Sequence, residues 1–302
     1  MLIIGEKINS SNKSVSAAID ARDAETIKHL AKRQAKAGAA YIDINAGMHF
    51  ADESERLIWL INTVSEATDI PLCLDTPNSA TLEAGLKAYA RRIKNSGGDV
   101  SVGGSSSGGG GVSVGGSNSA ADRPIINSIT NEKGRLEEAL PFALEYNARI
   151  IALCMDDAGI PETADGRYSI AKKLISKLTD GGISPNDIFI DPIVMPIFVG
   201  SNNSVATFET IQKVKAGFPE VNIVCGLSNS SYGLPRRDLI NHAFLIIAMA
   251  AGLECAILDP MDYRLMALVA AAEAVLGIDD TCAGYLRKYR DGLFDRQPTS
   301  GD

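Results

Sequence analysis

Short apolar runs alternate along this chain with longer stretches in which apolar residues recur every three or four positions. Runs of the first kind read as buried strands, and stretches of the second kind as amphipathic helices. Strands are expected at Leu2 to Gly5, Ala40 to Ile44, Pro71 to Leu74, Pro124 to Asn127, Arg149 to Cys154, Asp187 to Ile190, Val221 to Gly226 and Cys255 to Leu258. Helices are expected at Asp23 to Lys36, Glu53 to Ala67, Ser79 to Ala90, Arg135 to Tyr146, Gly166 to Leu178, Ser204 to Lys215, Arg237 to Ala251 and Tyr263 to Leu276. In the first helix Ile27, Leu30, Ala31 and Ala35 share one face, and Gly38 stops it. The Ser/Asn-rich stretch after the first strand reads as a loop. Eight strand–helix units predict a parallel sheet, and in a chain of 302 residues they predict a (β/α)8 TIM barrel in a single domain. The rival is an open doubly wound sheet, which would usually carry a glycine fingerprint joining an early strand to its helix.

Glycine does cluster here, but in the wrong place for that fingerprint. Residues 96–121 are rich in Gly and Ser and precede a strand, so they form no phosphate cradle on a helix N-terminus. This composition buries too little apolar surface to offset its ordering entropy. A flexible insert is expected, leaving the barrel between a helix and a strand, on the N-terminal face and away from any chemistry. Its twin Val-Ser-Val pieces offer at most a weak hairpin.

Several strands end abruptly on polar residues. The set is Glu6, Asn9, Asp43, Asn45, Asp75, Asn127, Asp156, Asp191, Ser228, Asn229 and Asp259. The C-terminal ends of barrel strands are where an active site is built. Carboxylates and carboxamides accept and donate hydrogen bonds in a plane. An Asp beside an amidine-like N–H/NH2 pair accepts two parallel bonds, each worth about 1.5–3 kcal/mol. A neutral heterocycle such as a pterin or a guanine-like ring therefore suits the ring of residues better than an anion. Two other readings stand beside it. Three or four oxygens can hold Mg²⁺ or Ca²⁺, and an Asp or Asn after a strand can simply cap the next helix.

Composition narrows the classes. The formal net charge is −8, aromatics make up 6% and no run of Lys or Arg stands out, which argues against nucleic acid or an anionic membrane as partner. No signal peptide and no run of membrane-spanning length is visible. The cysteines Cys73, Cys154, Cys225, Cys255 and Cys282 show no CxxC spacing, and four lie in or beside expected strands. They read as small apolar residues in a reducing cytoplasm. Of the histidines, His29 and His242 fall on helices and read as structural, and His49 lies in a strand-to-helix loop that could line a site.

Particular stretches carry more. Met-Leu-Ile-Ile-Gly-Glu-Lys-Ile-Asn at the start, Leu74-Asp75 with Asn78 and the Glu83-Ala-Gly-Leu-Lys helix, Ile126-Asn127-Ser128, Met155 through Gly159-Ile-Pro161, Ile190-Asp-Pro-Ile193 and Gly226-Leu-Ser-Asn229-Ser together resemble the methyltetrahydrofolate:corrinoid protein methyltransferases. These are pterin-binding barrels related to the folate domain of cobalamin-dependent methionine synthase and, more distantly, to dihydropteroate synthase. The resemblance covers the chain outside the Gly/Ser-rich insert. It implies that Asp75, Asn127 and Asp191 bind the pterin, that Asn229 sits by its N5, and that Gly226 and Ser228 complete the pocket. It implies methyl transfer between N5 of tetrahydrofolate and the cobalt of a corrinoid (cobalamin) carried by a partner protein, in a homodimer, with no metal site in the chain itself. Arg237 falls where the family carries an Arg, in contact with substrate or partner. Tyr232 stands where the family often has Gln. The alternatives are a dihydropteroate synthase-like pterin enzyme, which needs cations for a departing pyrophosphate, and a non-catalytic folate-binding barrel.

Overall fold

A computed structural model describes residues 1–47, 51–95, 123–200 and 202–295. Its strands are β1 (Leu2–Asn9), β2 (Tyr41–Asn45), β3 (Leu72–Asp75), β4 (Ile125–Thr130), β5 (Arg149–Leu153), β6 (Ile188–Asp191), β7 (Asn222–Gly226) and β8 (Cys255–Leu258). Each pairs in parallel with the next, and β8 closes onto β1 through Leu2 opposite Cys255. The expected TIM barrel is the observed fold.

The helices are α1 (Lys13–Asp20), α2 (Ala24–Lys36), α3 (Glu53–Ala67), α4 (Ser79–Asn95), α5 (Arg135–Glu145), α6 (Ala164–Asp180), α7 (Asn203–Gly217), α8 (Arg237–Ala251), α9 (Tyr263–Val275) and α10 (Ala283–Arg290). Two of them, α1 and α10, were not expected. In α1 the Ser/Asn-rich stretch is helical because Asn12 caps it, accepting from the Ser14 amide, while Val15, Ala18 and Ile19 bury one face. α2 ends at Lys36 and the chain turns away at Gly38, which takes φ +102°, a conformation glycine adopts without a Cβ clash. One residue on α2 departs from the expected face. Gln34 is fully buried, and its Oε1 accepts from the Lys7 amide at 3.0 Å. That bond sits where the β1–β2 register shifts between Gly5 and Ile8.

The strand period of two sets what the barrel holds. One inward residue per strand, Ile4, Tyr41, Cys73, Ile125, Ile151, Phe189, Val224 and Cys255, forms a single buried apolar cluster inside the barrel. This plug of side chains is the floor on which the next layer stands. α4 ends at Asn95 and β4 begins at Ile125. The Gly/Ser-rich insert, its two Val-Ser-Val pieces and His49 lie outside the described residues.

Candidate active site at the C-terminal mouth

Two residues beyond that floor, each strand again points inward. The residues are Glu6, Asp43, Asp75, Asn127, Leu153, Asp191, Gly226 and Ile257, and all eight line one cavity of about 980 Å³ at the C-terminal end of the barrel. The polar strand ends are therefore not scattered caps. They are the layer of barrel side chains above the apolar floor, with Leu153 and Ile257 as apolar wall. Asn9, Ser228, Asn229, Tyr232, Arg237 and Asp259 line the same cavity nearer the mouth.

The helix-cap reading fails for Asp75. α4 is capped by Asn78, whose Oδ1 accepts from the Ala80 and Thr81 amides at 3.0 and 3.1 Å. Asp75 instead accepts from Asn45 Nδ2 at 3.0 Å, and Asn45 is held by Ser10, whose hydroxyl donates to its Oδ1 at 2.7 Å. Asn45 thus supports the pocket rather than lining it. Asn127 donates from Nδ2 to Asp43 at 3.1 Å, which turns its amide oxygen away from that bond. Asp191 accepts from the Ile193 amide at 2.7 Å. Asp156 neither lines nor supports the pocket. It folds back in a turn, its Oδ1 accepting from Ala158 and its backbone bridging Gly159. Its position follows from the turn that begins once β5 ends at Leu153.

The layer's electrostatics follow from burial. Asp43 lies well above the usual carboxylate range because it is buried and because Asp75 faces it. Asp75 is raised by burial, against the Asn45 bond that lowers it, with Glu53 adding repulsion. Asp191 is pushed up by burial to about 7. Glu6 is also raised by burial, and the Ser228 hydroxyl, 2.6 Å from its Oε1, works in the opposite direction. Facing carboxylates out of water disfavour each other's charged form, so Asp43 and Asp75 shift in the same direction.

At the mouth, β7 runs into one 3-10 turn, Leu227–Asn229. The Asn229 side chain is exposed and makes no hydrogen bond among the described residues. Gly226 leaves the space that its amide occupies. Arg237 does not reach out freely. Its Nη2 donates to the Ser228 carbonyl at 2.6 Å and its Nε to Ser231 Oγ at 3.0 Å, which fixes the loop carrying Asn229. Lys7 pairs with Asp259 at 2.9 Å. His242 meets Asp262 at 2.7 Å. Among the described residues no group of three or more His, Cys, Asp or Glu converges to hold a metal, and no helix is long and apolar enough to cross a membrane.

Sequence reasoning found most of this layer but missed two supports, Gln34 and Arg167. Both are polar residues buried on helices, and a charge or amide between apolar neighbours carries no sequence signal for burial.

Comparison with known proteins agrees with this geometry. The chain is 32% identical over 295 residues to a methylcorrinoid:tetrahydrofolate methyltransferase of Eubacterium limosum, covering 97% of each chain. It is 28% identical over 270 residues to a methionine synthase of Mycobacterium tuberculosis, covering 85% of this chain and 20% of that one. Among solved structures, it is similar in fold to a dihydropteroate synthase of Yersinia pestis bound to a pterine-sulfa conjugate. That pair shows a TM-score of 0.59 and 17% identity, covering 91% of this chain and 94% of that one. A dihydropteroate synthase of Xanthomonas albilineans in complex with 7,8-dihydropteroate gives a TM-score of 0.58 at 16% identity, covering 93% of each. The pterin binding enzyme family profile matches residues 5–101 and 118–259. The chain belongs to the pterin-binding enzyme family.

Proposed function

We propose that this protein moves a methyl group between N5 of tetrahydrofolate and the cobalt of a corrinoid held by a second protein. The observation that carries the reading is the layer of Asp75, Asn127 and Asp191 lining one cavity with the unpartnered Asn229 amide. Asp75 and Asp191 accept from the N–H and NH2 groups of the pterin, Asn127 reads an adjacent mixed edge, and Leu153 and Ile257 pack on the ring. Ser228 and Gly226 shape the end of the pocket nearest N5. The full-length similarity to a methylcorrinoid:tetrahydrofolate methyltransferase supports both substrates.

In transfer to tetrahydrofolate, the N5 lone pair attacks the cobalt-bound methyl in line. The Co–C electron pair stays on the metal as Co(I), and N5 gives up its proton. In the reverse direction N5 is protonated before Co(I) attacks. In both directions N5 carries partial positive charge in the transition state, developing as N5 attacks the methyl and declining as the N–CH3 bond breaks in the reverse, and the Asn229 amide, free of other bonds, is placed to hydrogen-bond there. Preorganised groups of this kind act on the developing charge rather than on the ground state.

The dihydropteroate synthase-like alternative needs mouth cations for a pyrophosphate. Here Lys7 is paired with Asp259 and Arg237 is bound to its own loop, which favours methyl transfer. The four buried, unpaired cysteines fit a reducing cytoplasm. Exposed Leu239, Ile247 and Leu268 on α8 and α9 support a homodimer. Incubation with tetrahydrofolate and methylcobalamin tests the reaction. Methyltetrahydrofolate formed in step with demethylated cobalamin is expected, and absence of both, with free and protein-bound corrinoid alike, overturns it.

A further inference from the structure

Among the described residues the largest fully buried side chain is a cation, Arg167, on the first turn of α6. It lies beneath the loop that follows β6 and is bound entirely by oxygens. Nε donates to the Pro161 carbonyl at 2.9 Å. Nη1 lies within hydrogen-bonding distance of the Pro192 carbonyl at 3.1 Å, the Ile193 carbonyl at 2.9 Å and Thr207 Oγ1 at 3.1 Å. One guanidinium thus joins the β5–α6 loop, the β6–α7 loop and α7. Ile193, at the centre of this arrangement, has φ +61°. That is an uncommon backbone conformation for a β-branched residue and persists only where its surroundings over-determine it. The amide of this same Ile193 donates to Asp191.

We propose that Arg167 is a positioning residue for the pterin: by gripping the Pro192 and Ile193 carbonyls it fixes the left-handed turn that aims the Asp191 carboxylate into the pocket. The proposal rests on the reading that Asp191 binds the pterin. Other titratable groups that act with Asp191 are the thiols of Cys154 just after β5, Cys225 on β7 and Cys255 on β8, all raised by burial and therefore neutral. Arg167, on α6, is the charged group among them, and it opposes the burial that pushes Asp191 up. Glutamine or methionine at this position would leave the turn ungripped and the carboxylate more easily protonated.

The test compares parent, Asp191→Asn, Arg167→Met and Arg167→Lys by tetrahydrofolate affinity from about pH 6 to about pH 9, with thermal melting as the check on folding. In the parent, affinity should rise with pH as Asp191 ionises. Arg167→Met should bind about tenfold more weakly near pH 8 and shift this rise to higher pH. Arg167→Lys, which keeps the charge but not the fan of donors, should bind more weakly with the rise at the parental pH. Unchanged affinity in Asp191→Asn would remove the reading on which the proposal stands. Weakened binding in Asp191→Asn, with parental affinity or an unmoved pH profile in Arg167→Met, would overturn the role of Arg167 alone. If Arg167→Met does not fold, Arg167→Lys decides: parental affinity overturns the proposal, and weaker affinity at an unmoved profile supports it.

Discussion

Gly226 and Asn229 face each other so closely that a Cβ on the glycine would lie 3.2 Å from Asn229 Nδ2. The glycine at the end of β7 is thus matched to the amide three residues on. Gly226→Ala should displace that amide by a few tenths of an ångström. A misplacement of about 1 Å can lower rates by about 10²-fold, and one of a few tenths of an ångström by several-fold. Turnover should fall several-fold in this variant while its melting temperature stays near the parent's, as measured by steady-state assay and calorimetry.

Asp75 faces the cavity, and Asn78 rather than Asp75 caps the helix that follows it. Asp75→Asn replaces an acceptor by a mixed group and sets two amides, at 45 and 75, against each other. Loss of a charge-assisted bond of about 1.5–3 kcal/mol predicts folate binding weaker by about 10- to 100-fold. Titration calorimetry checks it; affinity within twofold of the parent would remove Asp75 from the pterin site.

Asp191 has consequences for stability as well as binding. Its folded value of about 7 lies above the ordinary 3.8. Between those values the native state holds a proton that the unfolded chain has lost, so the contribution of this group to stability declines as pH rises toward about 7. Asp191→Asn has no such dependence. Its melting temperature relative to the parent should be higher at pH 8 than at pH 5. A difference independent of pH would show that burial does not perturb Asp191.

The mouth carries exposed Phe198 and Tyr232, on loops joined by the Ile197 amide and the Ser230 carbonyl at 3.1 Å. Tyr232→Ala should leave folate affinity unchanged and raise KM for the corrinoid protein, as steady-state titration of that partner would show. An unchanged KM would place the partner elsewhere on the rim.

Much of the barrel was legible because strands and helices carry different periods, and every strand of β1 to β8 contains a short apolar run. The pocket was legible for a related reason. Asp43, Asp75, Asn127 and Asp191 are polar at positions where an inward strand residue would otherwise be apolar. Asp156 looked the same in sequence but lies beyond the end of β5, in a turn, and sequence does not mark where inward alternation stops. α1 was hidden because Ser and Asn suggest loops, although Asn12 and the Val15, Ala18, Ile19 spacing were its signal. Arg167 and Gln34 were illegible because their burial depends on carbonyls and amides brought from distant strands and loops.

The most direct test of the account is rapid mixing of tetrahydrofolate with a methyl-loaded corrinoid protein, followed by cobalt absorbance, in the parent and in Asn229→Ala. The account predicts methyl transfer in the parent, and transfer slower by about 10²–10³-fold in the variant with folate affinity nearly unchanged. No transfer in the parent, or equal rates in both proteins, would contradict it.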